Sequence, residues 1–300
     1  MTRPAPAAAP KKSTDVRLSA FRALFRALSA IAPAAAAGLA MALFRRPPRH
    51  RASESERAAL AKGGRTDLSL GGRPLAIWRW GKGPAVLLVH GWGSRGSRLA
   101  SFIAPLTEAG YSVVAFDAPG HGASAGRLSS LPQFISAIQA VARHVGGVEA
   151  IVAHSMGGAA MTLAMARGLR ASRAVFLAPA ADPAGYSERF AATLGLSPDV
   201  LARMRRSIER RFGQSWDDFD VLRAAAKMTA PLLVFHDRDD SDVAWTDGAA
   251  IASAWPGAEL VSTTGLGHRR IVHDPAVVSR AVAFLTAEVD EKQRERSGRL

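Results

Sequence analysis

Two hydrophobic periods alternate along this chain. From Leu18 to Ile31 the apolar residues Leu18, Phe21, Leu24, Phe25, Leu28 and Ile31 recur at helical spacing, with Ser19, Arg22 and Arg26 opposite them. That pattern predicts an amphipathic, basic helix. Pro33 interrupts it, and an uncharged run of 18 residues, Ala27 to Phe44, half of them alanine, carries the chain onward. "RRPPRHR" reads as a linker. A short helix is expected over Ser53–Ala61, where Ser53 and Glu56 have capping-box spacing. After Gly64 the period changes. "TDLSL" and "RPLAIWRW", joined by Gly71 and Gly72, predict a hairpin. The apolar runs "PAVLLVH", "YSVVAFD", "VEAIVA", "RAVFLAPA" and "PLLVFHD" predict strands buried on both faces, and "AELVSTT" reads as another strand. Helical patterns separate them: one from about Arg98 to Ala109, "LPQFISAIQAVARHV" with Pro132 in its first turn, one following Ser155, and a last one from about Pro275 to Glu288.

Strands alternating with helices predict an α/β fold, a mostly parallel central sheet with helices on both faces. One interval breaks the rhythm. The fifty or so residues from Ala181 to Ala230 are too many for an ordinary connection. They read as helices, among them "SPDVLARMRRSIERRFG", inserted after a strand's carboxyl end as a lid or cap. The expected organisation is a disordered basic tail over 1–15 and an N-terminal helical extension with its linker over 16–64. A core of 65–180 and 231–290 follows, with the helical cap at 181–230 and a charged tail at 291–300.

Composition changes this picture in two places. The chain has 300 residues and no cysteine, which excludes disulfides, thiolate metal sites and a cysteine nucleophile. Its net charge of +14 is unevenly spread: residues 1–65 carry 13 Lys+Arg and 3 Asp+Glu, the remainder 26 and 22. The basic character belongs to an appendage and no nucleic-acid recognition motif accompanies it, so nucleic acid is not an expected partner. The run at 27–44 is at the lower limit for a membrane span and is weakened by its alanines and Pro33. "AMA" at 40–42 has the small-x-small form of a signal cleavage site, but the basic region before it is too long. The expectation is a cytoplasmic protein whose residues 16–44 pack on the body or make peripheral contact with the inner face of a membrane; a spanning anchor and a cleaved signal are the alternatives.

Parallel sheets place ligands outside the carboxyl ends of their strands. After "PAVLLV" comes His90-Gly91-Trp92-Gly93, and after "YSVVAF" comes Asp117 to Gly122. After "VEAIVA" comes His154-Ser155-Met156-Gly157, after "PLLVFH" the cluster Asp237, Asp239, Asp240 and Asp242, and after "AELVST" the stretch ending in His268. A serine, an acid cluster and a histidine thus reach one sheet edge, in that chain order. Ser155 needs a base within hydrogen-bond reach and a carboxylate to orient that base. His268, after "GLG", is the best base; His273 reads as the lead-in to the last helix.

The segments "HGWG", "DAPGHGAS", "HSMGG", "HDRDDSDV" and "GLGHRRI", in this order over roughly residues 66–289, resemble the α/β-hydrolase fold superfamily. The resemblance implies a serine hydrolase with a nucleophile elbow, an oxyanion hole and a helical cap. The elbow needs small residues two places either side of the nucleophile. Here they are Ala153 and Gly157, and Ala153 departs from the family's glycine. The family pattern implies Asp240 as the acid, with Val243 behind it and Asp239 the next candidate. The backbone amides of Trp92 and Met156 are the implied oxyanion donors. His90, His121 and His154 are expected to support loops. The implied substrate is a small-molecule ester or other acyl compound, with peptidase, thioesterase and peroxidase-like activities open on the same residues. A non-catalytic binding protein of this fold is the alternative. No cofactor and no metal are expected.

Overall fold

The computed structural model of the protein describes residues 12–287. The tail expected at 291–300 lies outside them, as do residues 1–11 of the tail expected at 1–15. The helices are α1 Lys12–Ile31, α2 Pro33–Phe44, α3 Glu54–Ala61, α4 Ile103–Glu108, α5 Leu131–His144, α6 Met156–Ala166, α7 Pro183–Leu194, α8 Pro198–Phe212, α9 Val221–Ala225, α10 Trp245–Ala254, α11 Gly267–Arg270 and α12 Pro275–Thr286. The strands are β1 Gly64–Leu70, β2 Arg73–Trp80, β3 Ala85–Val89, β4 Ser112–Phe116, β5 Ala150–His154, β6 Arg173–Leu177, β7 Leu232–Asp237 and β8 Glu259–Thr263. Two boundaries differ from expectation. α1 begins at Lys12, inside the stretch read as tail. The helix expected from Arg98 is a 3-10 segment, Gly96–Phe102, broken at Leu99 and followed by α4; Leu99, Phe102 and Leu106 are buried along it all the same.

The chain forms two compact units, one joining α1 and α2 to residues 184–216, the other comprising residues 45–183 and 217–287. In the helical unit the amphipathic face of α1 finds its cover. Phe25 is buried with Ala36, Ala37 and Ala40 of α2 and with Val200, Met204 and Ile208 of α8. The α8 positions stand at intervals of four, one helix stripe. Small alanines leave room for the larger partners, and the burial of Phe25 contributes about 2–3 kcal/mol. α8 is bounded by local chemistry: Ser197 caps its first turn, Pro198 opens it, and Gly213 ends it with φ 63°. Arg22 donates from Nε to the Thr193 carbonyl at 2.9 Å, and Phe44 meets Phe190 edge-on at 5.1 Å.

The larger unit is built on an eight-stranded sheet of order β1-β2-β4-β3-β5-β6-β7-β8. β1 pairs antiparallel with β2, and β2 with β4; every later pairing is parallel. Gly71 and Gly72, at φ 57° and 74°, make the tight hairpin turn. The central strands are buried throughout because alternate residues feed two cores. Leu87, Val89, Ile151, Ala153 and Phe176 pack with α5, α6, α9 and α10. Val86, Leu88, Val152, Val175 and Leu177 pack with α4 and α12. At the head of α3 the capping box is complete: Glu56 N–H donates to Ser53 Oγ, and Ser53 N–H to Glu56 Oε2 at 2.7 Å. The stretch read as a linker is strapped down, Arg45 to Gln133 and Arg49 to the carbonyls of Gly120 and Gly126.

Candidate active site

Ser155 lies between the last residue of β5 and the first of α6, with φ 55° and ψ −126°. An L-residue avoids this region at a cost of about 1–3 kcal/mol, so surrounding structure must enforce it. The Ser155 N–H donates to Leu177 O at 3.0 Å, and its carbonyl accepts from Gly158 and Ala180. Two glycines make the turn feasible. A Cβ on Gly157 would stand 2.6 Å from Val89 O, and one on Gly91 would stand 2.7 Å from Ser155 Cβ. Ala153, where the family has glycine, is fully buried in the sheet core, and its methyl is absorbed there.

Ser155 Oγ stands 3.0 Å from His268 Nε2, and His268 Nδ1 stands 2.7 Å from Asp240 Oδ2. With the proton on Nδ1 donated to the carboxylate, Nε2 keeps a lone pair for the serine hydroxyl. The Asp240 side chain is fully buried and that of His268 is 11% exposed. Asp240 Oδ1 accepts the amides of Asp242 and Val243 at 2.8 and 2.9 Å. Burial pushes the Asp240 carboxyl up, but hydrogen bonds from His236, His268 and the Val243 amide outweigh it and hold the group well below the usual carboxylate range. Asp239 is turned elsewhere, its Oδ2 accepting from Gly265 N–H at 2.8 Å. His273 bonds Ser101 instead.

The other histidines brace loops. His90 pairs with Gly91 O through Nδ1 and accepts the Ala118 amide at Nε2. His121 pairs with Pro119 O and accepts the Gly93 amide. The loop carrying Trp92 is therefore held on both sides, and the Trp92 indole packs edge-on against His121. His154 donates from Nε2 to the carbonyl of His268 at 3.0 Å, tying the residue before the serine to the base. Burial lowers the pKa of these three rings to about 4, 3 and 3, with the neighbouring His90 and His268 adding to the effect on His121 and His154 respectively. At neutral pH all three rings are uncharged; each donates from one nitrogen, and those of His90 and His121 accept at the other. Met156 opens α6, where the first amides have no intrahelical acceptor.

Two residues were not foreseen in these roles. His236, fully buried, donates to Val243 O and lies 3.5 Å from Asp240 Oδ2. From the sequence, Asp237 is only one of a set of loop carboxylates. It is fully buried, pairs in register with Thr263, and accepts the Thr263 hydroxyl at 2.6 Å, the Leu266 amide at 3.0 Å and the Asp239 amide at 3.0 Å. Burial pushes its carboxyl up; these donors outweigh it and the pKa falls. Asp237 thus clamps the loop leading to His268 onto the loop holding Asp240. The signal lay in "PLLVFHD": an acid ending a strand buried on both faces must be paired. Asp237→Asn would face one of these donors with an NH2 group. The expected loss is about 2 kcal/mol in urea unfolding; an unchanged midpoint would refute the clamp. Among the described residues no cluster of three or more His, Asp or Glu stands ready to hold a metal ion.

Comparison with known proteins agrees with this architecture. The sequence pattern described as the alpha/beta hydrolase family matches residues 86–281. A curated protein of Pseudomonas syringae pv. syringae, "Putative carbamate hydrolase RutD", is 31% identical over 122 residues, 39% of this chain and 45% of that protein, so the match spans less than half of the relative. Est1E from Butyrivibrio proteoclasticus, solved with ferulic acid bound, superposes with a TM-score of 0.60 at 21% identity, covering 73% of this chain and 97% of that one. Carboxylesterase CesB (YbfK) from Bacillus subtilis gives 0.58 at 16% identity, covering 79% and 97%. At these identities the solved structures attest the fold.

Proposed function

The chain belongs to the alpha/beta hydrolase family, and from that premise we propose that it is a serine hydrolase of carboxylic esters or related acyl compounds, working through an acyl-enzyme. The observation that carries this reading is the unbroken hydrogen-bond chain from Ser155 through His268 to Asp240, at 3.0 and 2.7 Å, on a strained elbow. In this mechanism Ser155 Oγ attacks the substrate carbonyl carbon while His268 Nε2 takes its proton. The Asp240 carboxylate fixes the ring's tautomer and stabilises the imidazolium. The oxyanion is received by the amides of Met156 and Trp92, the former aided by the positive end of α6. His268 then gives the proton to the leaving alkoxide as the acyl-enzyme forms. Water, activated by the same imidazole, releases the acid and restores the serine.

A carbamate carbonyl is open to the same attack, and the partial match to the Pseudomonas relative makes carbamates the second class to try. The test is partitioning. Methyl, ethyl and p-nitrophenyl esters of one short acid, turned over in the presence of hydroxylamine, should yield hydroxamate and free acid in one common ratio. That constancy is required if all three pass through the same acyl-enzyme. Ratios that follow the leaving group would overturn the covalent route.

A further inference from the structure

We infer that the helical unit formed by α1, α2 and residues 184–216 docks on an anionic bilayer surface. Among the described residues, six large apolar side chains are markedly exposed, and four of them stand on α1 and α2: Phe21 at 44%, Leu24 at 46%, Ile31 at 80% and Leu39 at 38%. Phe21, Leu24 and Ile31 recur at intervals of three and seven, which puts them along one side of α1. Phe25, on the neighbouring stripe, serves the unit's own core. The apolar face of α1 is thus wider than its packing uses.

Charge identifies the occupant. This unit's two sequence segments hold 12 Lys+Arg against 4 Asp+Glu, whereas the rest of the chain holds 27 against 21. Arg22 and Arg26 of α1 and the arginines of α8 are some 180 residues apart in sequence, and the fold gathers them into one body. Arg203, Arg206, Arg210 and Arg211 are exposed on α8, as are Arg22 and Arg26 on α1. No acidic residue occurs between Val16 and Ser53. Exposed Leu, Ile and Phe on one face of α1, in a unit with excess positive charge, suit acyl chains under anionic lipid headgroups. A nucleic acid would leave those side chains without a partner, and a second copy would bring like charge against like. Docking lies in the interface plane: no described helix is long and apolar enough to cross a membrane, and the 12 residues of α2 rise only about 18 Å.

The test is co-sedimentation of the full chain with vesicles of phosphatidylcholine alone or mixed with phosphatidylglycerol. Binding is expected on the phosphatidylglycerol vesicles and should weaken as salt is raised. Arg206→Gln, Arg210→Gln and Arg211→Gln together should lower partitioning about 100-fold, at about fivefold for each charge removed near the surface. Leu24→Asp with Ile31→Asp, both at exposed positions, should abolish it while circular dichroism stays unchanged. Equal binding to both vesicle types, or indifference to both variants, would overturn the inference. So would a native dimer that Leu24→Asp with Ile31→Asp turns into a monomer, since it would assign the face to a second copy.

Discussion

Replacing Ser155 with alanine should lower ester turnover by about 10⁴- to 10⁶-fold, with little change in the urea midpoint. The methyl group cannot attack a carbonyl, and the activity left would be what the Met156 and Trp92 amides and substrate binding supply. Alanine at φ 55° carries the same backbone strain as serine there, and Leu177 O, Gly158 and Ala180 still hold the turn, so the fold should survive. His268→Ala should cost a comparable factor. The informative variant is the double. If serine and imidazole act as one unit, Ser155→Ala with His268→Ala should be no slower than either single change. Multiplying losses would mean that the two side chains contribute separately.

The second large effect is a loss of stability in mild acid. His90, His121 and His154 are buried, with pKa values lowered to about 4, 3 and 3, chiefly by desolvation. In the unfolded chain each would protonate near 6.5. Between these values the unfolded state binds more protons than the native state, so stability falls as pH falls. The contribution is whole above about pH 6.5 and is lost progressively toward the folded values. Three such groups imply a loss on the order of 5 kcal/mol between pH 7 and pH 5, offset in part by Asp117: burial raises its carboxyl pKa, so its protonation favours the native state as pH falls. The loss is a large share of the ~5–15 kcal/mol that holds a typical native protein together. The depressed carboxylates Asp237 and Asp240 do not blur this window, because their contribution is lost only below the ordinary aspartate value. Urea unfolding at the two pH values measures the difference. A change under about 1 kcal/mol would mean that the rings are protonated in place or already solvated.

Much of the fold is legible in the sequence. Strands buried on both faces announce themselves as apolar runs, and five such runs fall on β3 to β7; "AELVSTT" forms β8, which is not buried on both faces, because it is the edge strand of the sheet and leaves Glu259 and Ser262 exposed. Ser155 is conspicuous because it stands between the apolar run of β5 and the cluster of small residues Gly157, Gly158, Ala159 and Ala160. The capping box at Ser53 is a local pattern read by local chemistry, and it was found as read. What escaped was non-local. The amphipathic face of α1 said that something covers it, but not that Val200, Met204 and Ile208 do so from far along the chain. Nor does periodicity reveal that a carboxylate at the last position of β7 reaches across to the loop after β8. That follows from register, Asp237 opposite Thr263, which only the paired strands display. Among the four clustered aspartates, the fold turns Asp240 to the imidazole and Asp239 to Gly265; the resemblance to the family implies Asp240 without excluding Asp239.

The most direct measurement is covalent. The full-length protein is treated with a fluorophosphonate, digested, and its peptides mapped by mass spectrometry. The predicted result is one adduct, on Ser155, forming at least a thousandfold faster in the native protein than in His268→Ala. Labelling at any other residue alone, or equal rates in the two proteins, would contradict a hydroxyl activated by its neighbouring imidazole.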